Sequence, residues 1–180
     1  MANHEERPII ESVDLFLAFS RKKDGMENRK CIRTIIRNYS LDLEILKTKL
    51  KIIGGEWRIH KTVNKRDVQK ARMWLIHKLL DNPEFAGCID SLWRTSLLQK
   101  ECIYGEQYFL LDVNTKKEEE LIKLNDLIPN IQETLDNIIE TPNGYHYITK
   151  KFDTREVCNL PYVTLIRDGY LFIEKLGGLK

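Results

Sequence analysis

The longest unbroken apolar run in the sequence, residues 15–19, falls far short of the roughly 20 residues that a membrane helix requires. The opening residues, 1–8, carry no apolar core of the kind a secretion signal needs. A cytoplasmic protein with no membrane partner is therefore expected. Cysteine is sparse and unpaired in spacing. Cys31, Cys88, Cys102 and Cys158 contain no CxxC pair, which excludes a zinc knuckle and a disulfide-stapled secreted module and predicts reduced, mostly buried thiols. An excess of one charge sign is also missing. Charged residues make up 31% of the chain, yet the net charge is only +2, so contact with nucleic acid would have to come from local patches. Repeats and low-complexity tracts are absent. What remains is a chain of 180 residues, 42% hydrophobic, long enough for one domain with a real core.

Apolar periodicity places the elements along that chain. Residues 12–19 alternate apolar with acidic and then turn wholly apolar, which admits a helix or a strand and favours a short helix, and the polar stretch 20–30 around Gly25 reads as a loop. Residues 31–39 are rich in β-branched side chains and predict a strand. Ser40 is the expected N-cap of a helix over 41–53, which Gly54 and Gly55 end. Alternation over 57–63 predicts a half-buried strand, and Asn64 to Asp67 cap a helix reaching about Leu80, with Trp74 on its apolar side. There follow a helix over 89–98 carrying Trp93, a strand over 107–113, a helix over 117–127 and a strand over 137–140. A turn at Pro142, Asn143 and Gly144 leads to a strand over 145–150. Residues 162–166 and 170–174 flank Arg167, Asp168 and Gly169 and read as a hairpin, because Asp-Gly favours a two-residue turn. The class is α+β with a largely antiparallel sheet. Residues 1–55 form an N-terminal extension, helix-rich with one strand, and residues 56–180 form the core.

Two places concentrate chemistry. Asp112 ends the apolar strand Phe109, Leu110, Leu111, where a rigid carboxylate suits a hard cation; capping of the following turn explains it as well. His146 follows the turn Thr141, Pro142, Asn143, Gly144, whose tight backbone suits approach to a phosphate while the imidazole binds phosphate or moves a proton. A plain hairpin turn with an exposed histidine is the alternative. Arg58, His60, Lys65 and Arg66 gather around the first strand-loop-helix unit and suit phosphate oxygens, although a solvated sheet face would also place Arg58, His60 and Thr62 together. The charge run from Lys116 to Glu120 fits a surface helix start.

Taken in order, these motifs resemble the catalytic core of the archaeo-eukaryotic primase superfamily, the primase-polymerase proteins. Leu110, Leu111, Asp112, Val113 and Asn114 stand where that family has a DxD- or DxE-like strand end. Pro142 to His146 stand at its turn leading to a histidine, Leu165 to Asp168 at its later acid-bearing strand, and Thr62 to Arg66 at its Asn-x-Arg segment. The resemblance spans residues 56–174. It implies an RRM-like sheet flanked by helices, a catalytic set of Asp112, His146 and Asp168, Mg²⁺ or Mn²⁺ on Asp112, Asn114 and Asp168, and nucleotide phosphates near Arg66. In the second acid place of the first motif this chain has Asn114, a neutral donor. The chain also resembles small uncharacterised proteins of phages and bacteria.

Three functions stay open at this stage. The first is a primase-polymerase-like nucleotidyltransferase, or its weakened derivative, acting on nucleoside triphosphate or nucleic acid. The second is a two-histidine phosphoesterase cleaving cyclic or RNA phosphates, since His60-Lys61-Thr62 fits an HxT element and His146 to Thr149 is a copy with one extra residue. That residue turns the threonine to the opposite strand face. The third is a non-enzymatic phage protein that binds nucleic acid or a host factor.

Overall fold

A computed structural model describes residues 10–20, 30–135, 137–141 and 143–177. Residues 1–9, the expected loop around Gly25 and Pro142 of the turn lie outside these residues. The fold is α+β with two antiparallel sheets. Among the described residues no helix is long and apolar enough to cross a membrane.

The first sheet has the order β2-β1-β3-β9, formed by β2 (Lys30–Ile36), β1 (Ser12–Ser20), β3 (Trp57–Thr62) and β9 (Tyr170–Leu176). The two-residue β4 (Arg66–Asp67) adds to β1. Residues 12–19, for which a short helix was favoured over a strand, form an interior strand. The reason is burial on both faces. Phe16 and Ala18 pack with Leu46 and Leu50 of α1 (Tyr39–Ile53), while Leu15 and Leu17 pack with Ala71 of α2 (Val68–Asp81) and Leu97 of α3 (Ile89–Leu97). A strand covered on both sides loses its alternation and reads as an apolar run. The stretch before Gly55 thus supplies the centre of this sheet, and is no separate arm.

Helix α1 begins two residues earlier than Ser40 suggests, with Asn38 as its N-cap. The Asn38 side chain accepts the Leu41 amide at 3.1 Å, and Asp42 accepts the amides of Arg37 and Asn38 at 2.7 and 2.8 Å, so donors on both sides of the helix start are satisfied. Gly54 ends the helix at φ 78°, and its carbonyl accepts the indole N–H of the buried Trp57 at 2.8 Å. Trp74 and Trp93 are half-buried; Trp74 lies under the Lys78 ammonium. The thiol expectation is corrected: Cys31, Cys88 and Cys158 are exposed and only Cys102 is buried, since the first three lie on an edge strand and on surface turns.

The second sheet has the order β6-β7-β5-β8, formed by β6 (Ile138–Thr141), β7 (Gly144–Lys150), β5 (Tyr108–Val113) and β8 (Val163–Ile166). Helices α4 (Glu118–Leu127) and α5 (Ile131–Leu135) connect β5 to β6. This is the strand order of a split βαβ unit and matches the expected RRM-like sheet. Its core is Leu111, Val113, Leu124, Ile128, Tyr147 and Val157, packed between the sheet and α4.

The hairpin expected over 162–174 is not formed. β8 pairs with β5 and β9 pairs with β3, so Arg167, Asp168 and Gly169 carry the chain from one sheet to the other. Tertiary contacts override the Asp-Gly turn signal. Asp168 is gripped by Arg66, the Gly169 carbonyl accepts the Val63 amide at 3.1 Å, and a Cβ at Gly169 would lie 2.9 Å from Leu110.

Candidate functional site

Asp112 and His146 are direct cross-strand partners on β5 and β7. Such pairs project from the same sheet face about 5 Å apart, so the imidazole Nε2 comes within 3.4 Å of the carboxylate Oδ1. Both remain accessible, with 36% of the Asp112 side chain and 17% of the His146 side chain exposed. They open onto a cleft of about 350 Å³, the size range of small-ligand sites, lined also by Asn114, Thr141 and Asn143 at the end of the second sheet. The opposite wall comes from the first sheet. Strand β3 buries Trp57 and Ile59 on one face and presents Arg58 and His60 on the other, where β9 adds Phe172 and Lys175.

His60 is held by its neighbours. Its ring meets Phe19 and Phe172 edge-on, with centroids 5.4 and 5.6 Å apart. Nδ1 lies 3.2 Å from the Arg58 carbonyl oxygen, which can only accept, so Nδ1–H donates and the neutral ring keeps its Nε2 lone pair. Burial, and then the nearby charge of His146, hold its pKa below the ordinary value of 6.5. The cleft thus combines a carboxylate and an amide oxygen on one wall, a neutral histidine on the other, and two cationic side chains. That composition suits a phosphate-bearing ligand, with Asp112 and Asn114 as the oxygen donors for a hard cation.

Other residues singled out in the sequence lie elsewhere. Arg66 is fully buried and donates to both Asp168 oxygens, Nη1 to Oδ2 at 2.9 Å and Nη2 to Oδ1 at 2.7 Å. Asn64 donates to Asp168 at 3.3 Å and also clasps β5, accepting the Tyr108 amide at 2.7 Å and donating to the Tyr108 carbonyl at 3.0 Å. Arg66 and Asp168 therefore join the two sheets and do not line the cleft. Lys65 is exposed and outside it as well. Gly144 is buried against the Val113 and Thr115 main chain, so its missing side chain is used by strand packing. Asn143 is exposed at the cleft rim. Among the described residues no three His, Cys, Asp or Glu side chains gather into a metal cluster.

Thr62 and Thr149, the hydroxyls of the two HxT-like elements, are both buried. Thr62 accepts the Leu15 amide at 3.2 Å and donates to Asp14. Phe172 and Lys175 were missed in the sequence because the expected hairpin set β9 beside β8 instead of β3. No local signal marks them. In comparisons with known proteins, no family model, curated protein or solved structure matches the chain.

Proposed function

We propose that the cleft is a primase-polymerase-like nucleotide site, metal-assisted and weakened by Asn114, that takes the phosphates of a nucleoside triphosphate or a nucleic-acid end. The observation that carries this reading is that the cross-strand pair Asp112 and His146, on an RRM-like sheet, shares one cleft with Arg58 and Lys175 of the other sheet. Asp112 and Asn114 would hold one Mg²⁺ or Mn²⁺, since magnesium is commonly bound through one or two carboxylates together with substrate phosphates. That cation supplies charge neutralisation at the phosphoryl oxygens. A second ion has no carboxylate of its own here, because Asp168 is held by Arg66. Arg58, and Lys175 by exchanging its ion pair with Glu56 at 2.8 Å, meet the remaining phosphate charge, His146 donates to a phosphate oxygen, and Phe172, 44% exposed, offers an apolar surface beside them.

The test is binding of a fluorescent nucleoside triphosphate to the whole chain with Mn²⁺, followed by incorporation on a primed template. Mn²⁺-dependent binding that weakens at least tenfold in both Asp112→Asn and His146→Ala is expected, with slow incorporation or none. Absence of binding with either metal would refute the reading.

A second reading draws on His60 and His146 facing one cleft from two sheets, close enough for one charge to bear on the other. A two-histidine phosphoesterase would cleave a 2′,3′-cyclic nucleotide in the presence of a chelator and lose that activity on replacement of either histidine. The burial of Thr62 and Thr149 ranks it second.

A further inference from the structure

A second concentration of positive charge lies along the outer edge of β2, where among the described residues no further strand pairs. A groove of about 560 Å³ runs there between α1 and α3. It is lined by Arg33, Arg37, Lys49 and Arg94, with Asp42 as the sole carboxylate. That carboxylate is already engaged by the amides of Arg37 and Asn38 at the start of α1. Arg33 is fixed by donation from Nη1 to the Thr95 hydroxyl at 3.2 Å, while Arg37 and Lys49 are exposed. Among the described residues, neither Arg37, Lys49 nor Arg94 has a carboxylate within ion-pair distance. Four cations from one strand edge and two helices, facing one groove with Asp42 as its single acid, leave an excess positive field.

Sheet register links this groove to the cleft. Cys31 on β2 is paired with Phe19 on β1, Phe19 with Arg58 on β3, and Arg58 with Lys175 on β9. Cross-strand partners share a face, so these four side chains form one row, and Arg33 lies on that same face through Leu17 and His60. The row spans three interstrand spacings, roughly 14 Å. One end is the β2 groove, which Cys31 and Arg33 line; the other is the cleft, which Arg58 and Lys175 line.

We infer that the β2 groove holds the phosphodiester backbone of a single-stranded nucleic acid whose end reaches the cleft along this row. The cations give the anion preference. The choice of nucleic acid over other polyanions rests on the nucleotide reading of the cleft. Single strands fit because their backbone follows a charged groove without a duplex groove to match.

The experiment is fluorescence anisotropy of a labelled oligothymidylate on the whole chain across a salt series, with Arg37→Gln/Lys49→Gln and, separately, Arg94→Gln. Binding by the unaltered chain is expected, with a log-log salt slope reduced by about 1.4 in the double variant, from about 0.7 for each lost phosphate contact on a single strand. Circular dichroism should show the double variant folded, since both side chains are exposed. Its affinity for nucleoside triphosphate should be unchanged, which separates this groove from the cleft. An unchanged slope and affinity in both variants, or no oligonucleotide binding at low salt, would overturn the inference. Poly-glutamate competing as well as the oligonucleotide, with both lost in the variants, would also overturn it and assign the groove to an acidic protein. Loss of triphosphate binding in an Arg58 variant with oligonucleotide binding intact leaves the groove standing, whereas no triphosphate binding by the unaltered chain removes the cleft reading alone.

Discussion

Replacing Asp168 by asparagine should cost more stability than replacing Arg66 by methionine. The Arg66 side chain is 0% exposed, while Asp168 keeps 23% of its side chain in contact with solvent. Removing the guanidinium leaves a carboxylate that can turn to water and that retains Asn64 as a donor. Breaking a buried pair typically costs 3–5 kcal/mol, and the partial exposure of Asp168 sets the Arg66→Met figure at about 3 kcal/mol. Asp168→Asn leaves a fully buried guanidinium with no counter-charge, and its Nε already lacks a hydrogen-bond partner, so about 4–5 kcal/mol is expected. The double variant should recover part of the loss, because an uncharged pair removes the stranded cation. Urea denaturation measures this directly. With a slope of about 2 kcal/mol/M, the Asp168→Asn midpoint should fall by about 2 M. Two results would refute the reasoning. One is a midpoint shift under about 0.5 M in either single variant. The other is an Asp168→Asn protein of full stability that no longer binds Mn²⁺, which would return Asp168 to the metal site.

Three further outcomes follow from the same geometry. Gly144→Ala would drive a Cβ into the Val113 carbonyl and to 2.8 and 2.9 Å from the Thr115 backbone nitrogen and oxygen. A loss of at least about 2 kcal/mol, the scale of overpacking, is expected in urea denaturation together with weaker ligand binding as the β7 end shifts. The lowered pKa of His60 means that the unfolded chain takes up a proton first as pH falls. Stability should be full above about pH 6.5 and decline through the window beneath it, and melting in a pH series should show that slope removed in His60→Gln. Asn38→Ala should cost about 1 kcal/mol by removing the acceptor of the Leu41 amide, whereas Ser40→Ala should change the urea midpoint negligibly.

Elements with a clear local cause were legible in the sequence. Strands β3 and β7 show alternation and β5 an aromatic and leucine-rich apolar run, while α2 and α4 show helical spacing, α2 behind the Asp67 cap. The failures have a common origin in long-range burial. β1 is wrapped by α1 on one side and by α2 and α3 on the other, and its apolar run, residues 15–19, therefore carries no alternation. The link 167–169 has every local mark of a hairpin turn. What redirects it is Arg66, about a hundred residues earlier in the chain, and the close approach of Gly169 to Leu110. Neither partner can be inferred from the turn itself.

The same division explains which half of the cleft could be read. Asp112 and His146 belong to adjacent strands of one sheet, and each stands at a position that a short motif marks. Arg58 and His60 were visible as an alternating polar face, but a polar face alone does not say what it confronts. Its meaning depends on β9, which pairs with β3 only because the 167–169 link changes sheets, bringing Phe172 opposite His60 and Lys175 opposite Arg58. The ion pair that takes Asp168 away from the metal role is thus the contact that anchors the crossing strand. By holding the crossing in place, Arg66 and Asp168 bring the cationic wall into register with Asp112 and His146. Their contribution to the site is therefore positional, and the stability loss in Asp168→Asn should be accompanied by weaker triphosphate binding even with metal saturating.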